Sequence, residues 1–316
     1  MHNAFNLFLS SAALIVTAVS YCAAAEPSGG AAGANNTLTI GARRTNALPW
    51  PEPDAAAVEK LTAELREQLP AETFSITRVG PWIVATDLSK DRVPRYANDT
   101  IAKYAGDIQR QLFTKTPRSE PVKVMLFKDR LSYEMWNKKL FNEKPSTPYG
   151  YYSRQRKALV MNIGTGGGTL LHEMVHAMAE ADFPEIPAWL NEGLGSLFEA
   201  SDRADNGRVI GVTNWRLEGL QRDLKQNTAT KFSDLLGMED NIFYGQRSGA
   251  NYAASRYLMQ WLQEQGKLET FYTRIRDKKD ASAANSLLAV FDNKKTVEEV
   301  QNACYAWVKT LEFRNY

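Results

Sequence analysis

Two histidines four residues apart carry the most specific chemistry in this chain. In the segment Leu170-Leu171-His172-Glu173-Met174-Val175-His176-Ala177-Met178, a helix would bring both imidazoles onto one face. Two converging nitrogens make half of a zinc site. Glu173 would lie about 100° round such a helix from His172, off the histidine face yet able to reach a water at a metal's open position. A carboxylate there serves as a general base. The chain contains three histidines, and His2 falls in the leading segment, so no histidine remains to complete a three-histidine site. Cys304 stands far downstream in Ala303-Cys304-Tyr305-Ala306-Trp307 and reads as a small buried hydrophobe. The third ligand must then be a carboxylate. Pro187-Ala188-Trp189-Leu190-Asn191-Glu192-Gly193-Leu194-Gly195 supplies one in Glu192, at the start of a new helix, with Pro184 and Pro187 turning the chain back toward the first.

His-Glu-x-x-His followed by Trp-Leu-Asn-Glu-Gly resembles the double signature of gluzincin metallopeptidases. The likeness is strongest to the peptidase-MA-like exported proteins and more distant to zinc aminopeptidases. It runs from about Trp82 to Glu264 in order of elements, and these two motifs are its specific part. The resemblance implies a zincin-like α+β fold and one zinc per chain held by His172, His176 and Glu192. It also implies Glu173 as base and a peptide or protein as substrate. The helix opening Asn251-Tyr252-Ala253-Ala254 looks like the tyrosine-led helix that follows the metal motifs in gluzincins. Tyr252 is thus the candidate oxyanion donor, with Tyr244 and Tyr257 as alternatives.

In thermolysin-like relatives, the residue before the ligating glutamate and an aspartate one turn after it orient the histidines. Asn191 matches the first. Ser196 stands where the aspartate is expected, with Glu199 as a possible substitute. The strand ending at Ile163 corresponds to the edge strand on which gluzincins lay an extended peptide. The connector between His176 and Glu192 is shorter than in aminopeptidases, and no Gly-Ala-Met-Glu-Asn-like stretch appears. The short connector argues against the aminopeptidases' elaborated substrate pocket, and the absence of that stretch favours an endopeptidase or a narrow processing enzyme over an aminopeptidase. A catalytically inert, zinc-stabilised scaffold or binding protein of the cell envelope is the alternative, although retention of Glu173 argues against it.

The elements that must position these residues alternate before the histidines and turn helical after them. Asp54 can cap a helix with Val58, Leu61, Leu65 and Leu69 at helical spacing, stopped by Pro70. Extended segments follow at Thr73 to Thr77 and Trp82 to Thr86, then a helix over roughly Pro94 to Phe113. Next come a strand over Val122 to Phe127, a helix carrying Leu131, Tyr133, Trp136 and Leu140, and an extended stretch from Tyr149 to Ile163. Gly164-Thr165-Gly166-Gly167-Gly168 lacks the lysine of a phosphate loop and reads as a flexible turn at a cleft edge. From residue 165 onward the periodicity is helical throughout. The expected fold is therefore α+β: a small mixed sheet with packing helices and the histidine helix over 54–181, then an all-helical lobe over 182–316.

Composition agrees with one enzyme-sized globular body. Hydrophobic residues make up 44% and charged residues 23%, and the formal net charge of +2 is too small for a nucleic-acid footprint. Residues 1–25 read as a signal peptide, with an apolar run from Ala4 to Val19 and Ala23 and Ala25 forming an A-x-A site before Glu26. The implied location is periplasmic or secreted. The n-region lacks Lys and Arg, so an uncleaved anchor is an alternative, and lipidation of Cys22 behind the bulky Tyr21 is another. Residues 26–53 read as a flexible tether rich in Gly, Ala, Ser and Asn. Asn35-Asn36-Thr37 and Asn98-Asp99-Thr100 are glycosylation sequons. After the signal, no apolar run is long enough to span a bilayer, and removal of Cys22 would leave no intramolecular disulfide.

Overall fold

Asp54 accepts a hydrogen bond from the Ala57 amide at 2.8 Å and so caps helix α1 (Ala55–Gln68), an interaction typically worth about 1 kcal/mol. The computed structural model describes residues 48–294 and 296–313. The export segment, Cys22, the sequon at Asn35 and most of the tether lie outside them. Within residues 49–53, read from sequence as the end of that tether, Trp50 and Pro53 are buried. Trp50 is buried edge-on against Trp82, with ring centroids 5.8 Å apart, and donates its indole N–H to Gln109 at 2.9 Å. An aromatic ring of this size brings more apolar area to bury than a flexible linker would.

The sheet follows. Strands β1 (Ser75–Val79) and β2 (Trp82–Thr86) form an antiparallel hairpin through Gly80, whose φ of 56° suits a residue without Cβ. Helix α2 begins as π-helical turns over Arg95–Ala105 and continues over Gly106–Gln111. It leads to β3 (Val122–Phe127), helix α3 (Arg130–Phe141), β4 (Gly150–Ser153) and β5 (Ala158–Asn162). The strand order is β1-β2-β3-β5-β4; β2, β3 and β5 run parallel, and both outer strands are antiparallel to their neighbours. Alternation along the three inner strands splits the core in two. Ile83, Ala85, Met125, Phe127, Ala158 and Val160 pack with Leu65, Tyr133 and Trp136 from α1 and α3. Trp82, Val84, Val124, Leu126, Leu159 and Met161 face the other way. Strands covered on both faces are apolar at nearly every position, which accounts for the runs at 82–86, 122–127 and 158–162.

That covering corrects one expectation. The strand ending beside Ile163 is not the sheet's edge, because β5 lies between β3 and β4. The edge is β4, where only Gly150 is buried and the other three residues are partly exposed.

Helices α4 (Gly167–Asp182) and α5 (Ala188–Phe198) follow, then α6 (Arg216–Lys225), α7 (Phe232–Leu235), α8 (Asp240–Phe243) and α9 (Ser248–Glu264). The chain continues through α10 (Leu268–Arg276), α11 (Ala283–Leu288) and α12 (Val297–Thr310). The lobe expected to be all-helical contains one small hairpin, β6 (Ser201–Arg203) with β7 (Val209–Gly211). Three-residue strands are too short to show an alternating pattern. The architecture is α+β, and the described residues fall within one compact unit. Among them, no helix is long and apolar enough to cross a membrane.

Candidate metal centre

The first turn of α4 and the end of α5 meet closely because one glycine permits it. A Cβ at Gly168 would lie 2.2 Å from the Glu199 carbonyl oxygen, well inside contact distance. The glycine run at 164–168 is therefore, at Gly168, a requirement of helix packing. On α5, Asn191, Gly195 and Glu199 recur every four residues and form one stripe. All three address the histidines of α4. A Cβ at Gly195 would stand 2.8 Å from His172 Nε2, so the imidazole occupies space that a side chain would fill. On the opposite side of α5, Gly193 allows Ser255 and Met259 of α9 to approach.

The two imidazoles stand nearly perpendicular, with centroids 4.7 Å apart. Glu192 Oε2 is 3.1 Å from His172 Nε2 and 3.6 Å from His176 Nε2. The remaining ring nitrogens are each held. His172 Nδ1 is 3.1 Å from Glu199 Oε2, and His176 Nδ1 is 2.9 Å from Asn191 Oδ1. Glu199 in turn accepts from Arg216 at 2.7 Å and from the Asn214 amide at 3.1 Å through its other oxygen. The Ser196 hydroxyl, at the position where an aspartate was expected, is buried without a hydrogen-bond partner; Glu199 reaches His172 from the next turn.

Glu173 sits to one side of this convergence. Its Oε2 accepts the Tyr152 backbone N–H of β4 at 2.8 Å, so the sheet edge and the histidine helix are joined at this carboxylate. Ligand atoms of His172, Glu173 and His176 lie within 4.8 Å of one another, a grouping that could hold a metal ion.

The tyrosines divide. The Tyr244 hydroxyl, just past α8, donates to Glu192 Oε1 at 2.8 Å. Tyr252, on α9, lies near enough to Glu192 for that carboxylate's charge to raise its phenol, and its ring is 5.4 Å from the Arg216 guanidinium. Tyr257 is instead buried against the backbone of Asn214, away from the histidines. Tyr152, Asn214 and Arg216 escaped sequence reasoning. None belongs to a spaced motif, and their partners lie 15 to 21 residues away along the chain.

Enclosure makes the charges here unequal. Burial drives the Glu173 carboxyl above its ordinary value, and His176 and His172 offset this only in part. Burial by itself would raise Glu192 too, yet His176 and His172 hold it well below the usual carboxylate range. Burial would depress His172, but its bonds to Glu192 and Glu199 push it up to about 10. For Tyr244 and Tyr252, burial and then the charge of Glu192 raise both phenols, so each stays a neutral O–H donor. Arg216 offsets Glu199; Glu173 and Glu192 then face two histidines. Two imidazoles with a carboxylate form a donor set that could hold a divalent metal such as zinc.

Residues 167–284 match a protein family described as "Protein of unknown function (DUF1570)". The matched region opens at the first residue of α4 and takes in every residue of the centre except Tyr152, while the five-stranded sheet lies outside it. None of the curated proteins compared with the chain matches it.

Proposed function

We propose that this protein is a zinc-dependent peptidase, with His172, His176 and Glu192 as metal ligands and Glu173 as general base. The observation that carries the reading is the convergence of His172 Nε2 and His176 Nε2 on Glu192 Oε2, at 3.1 and 3.6 Å. Ligands about 2.0–2.1 Å from zinc in a tetrahedral site are separated by about 3.3 Å, and these two distances bracket that edge. Glu199 and Asn191 fix which nitrogen of each imidazole points inward.

A bound zinc would supply Lewis-acid polarisation of a substrate carbonyl and a water acidic enough to be deprotonated near neutral pH. Glu173, raised by burial and held at the edge of β4, takes that proton and delivers it to the leaving amine. Tyr252, kept neutral beside Glu192, donates to the developing oxyanion, while Tyr244 holds Glu192 Oε1 so that Oε2 faces the histidines. The outer edge of β4 suits an extended peptide, which would share or take over the Tyr152 N–H now donated to Glu173. In its antiparallel pairing with β5, Tyr151 and Ser153 bond inward, leaving the backbone of Tyr152 turned toward Glu173. Reading residues 1–25 as an export signal, we propose that this activity lies outside the cytoplasm.

The deciding experiment measures metal by elemental analysis on the purified protein, alongside cleavage of a peptide library with and without chelator. The expected result is one zinc per chain and cleavage that chelation abolishes and added zinc restores. Zinc without cleavage would favour the inert scaffold, and no zinc would overturn the reading. The link from Glu199 to His172 gives a second expectation: Glu199→Ala should weaken zinc binding by about 10- to 100-fold, read by competition with a chromophoric chelator. Unchanged affinity would mean that His172 is oriented by something else.

A further inference from the structure

Tyr152 reaches two carboxylates of α4 at once: its backbone N–H meets Glu173, and its hydroxyl donates to Glu180. Glu180 stands one helical turn beyond His176 on the same face. It is shared. Arg118 lies 3.4 Å from Glu180 Oε2 and Arg154 lies 3.9 Å from the same oxygen. Arg118 is buried and committed, donating also to the Ala177 carbonyl at 2.8 Å. Arg154 is different: its side chain is 55% exposed, and its contact with Glu180 is long. The neighbouring cations of this turn have carboxylates of their own, since Arg156 pairs with Glu143 and Lys157 with Glu120. Two guanidinium groups against the one carboxylate of Glu180 leave a positive surplus at the end of β4, and Arg154 is its exposed member.

From this geometry we propose that Arg154 reads an acidic side chain of the substrate close to the bond that is cut. The proposal rests on the peptidase reading above. Tyr152 marks the level of the general base along β4, and Arg154 follows two residues later as the first residue of the turn that closes the strand. Its Nε lies 3.9 Å from the Glu180 oxygen that the Tyr152 hydroxyl also meets, so Arg154 is on the side where Tyr152 meets α4. A peptide laid along the outer edge of β4 and past its closing turn would carry a side chain near the reacting carbonyl past Arg154. An aspartate or glutamate there gains a cation that has only a distant partner to give up, while a lysine or arginine meets repulsion.

The test uses the zinc-loaded full chain and quenched fluorescent peptides with Asp, Ala or Lys placed in turn at the positions close to the cleaved bond on either side. Binding of the same labelled peptides to the Glu173→Gln protein gives a readout independent of turnover. On one side of the bond, the wild type should favour Asp over Lys by about fivefold in kcat/KM and in affinity, the scale of a solvent-facing ion pair. Arg154→Glu should reverse the order, and Arg154→Ala should level it. A ranking that is the same in wild type and Arg154→Glu, or no charge preference at any of these positions, overturns the proposal alone. Failure of the wild type to cleave any peptide overturns the peptidase reading and this proposal with it.

Discussion

Glu173→Gln should retain one zinc per chain and lose about 10²- to 10⁴-fold in kcat, the usual worth of a positioned general base. Glutamine has the same shape, and its amide oxygen can still accept the Tyr152 N–H that now meets Glu173 Oε2 at 2.8 Å. The join between α4 and the sheet edge is therefore kept. What disappears is the lone basic oxygen, whose proton affinity burial has raised above that of an ordinary carboxylate. Metal content and turnover, measured on one preparation, separate two assignments that geometry places close together, because Glu173 lies within 4.8 Å of the histidine donor atoms. Zinc kept and activity lost identifies a base. Zinc lost along with activity would make Glu173 a ligand, and an unimpaired variant would remove it from the chemistry altogether.

Removing Glu192 should have the opposite signature. Glu192→Ala deletes the oxygen on which both imidazoles converge and leaves the Tyr244 hydroxyl without its 2.8 Å acceptor. Loss of an orienting partner costs about 10- to 100-fold in metal affinity, so loss of a ligand should cost more than about a hundredfold. Activity should fall with it. A protein that binds zinc only when folded is stabilised by zinc; the wild type should therefore melt higher with zinc than with chelator, and the variant should show little of that difference. Elemental analysis and paired melting curves check both statements. Stoichiometric zinc in Glu192→Ala would place the metal among His172, Glu173 and His176 instead.

The site was partly legible in the sequence because part of it is local. His172 and His176 share a helical face through their spacing alone, and Asn191 and Glu192 are neighbours in a single motif. A count of three histidines was enough to direct the search for a third ligand to a carboxylate. Glu199 was marked only as a substitute for the aspartate missing at Ser196; its approach to His172 depends on the close packing of α4 and α5 that Gly168 permits. The apolar run at 158–162 signalled a strand and was read as the sheet's edge. A run apolar at nearly every position instead marks a strand covered on both faces, and β5 is one.

By itself, the sequence determined the histidine helix, the carboxylate that faces it, the α+β alternation and the apolar strands. Each of these is written in spacing along a few turns or pleats. Only the tertiary structure decided that β4 is the edge beside Glu173, that Tyr244 bonds Glu192 and Tyr252 stands near it while Tyr257 does not, and that Arg216 and Arg154 stand near the centre. These are contacts between elements far apart in the chain, set by how helices and sheet pack around one another, and no periodicity within a single element records them.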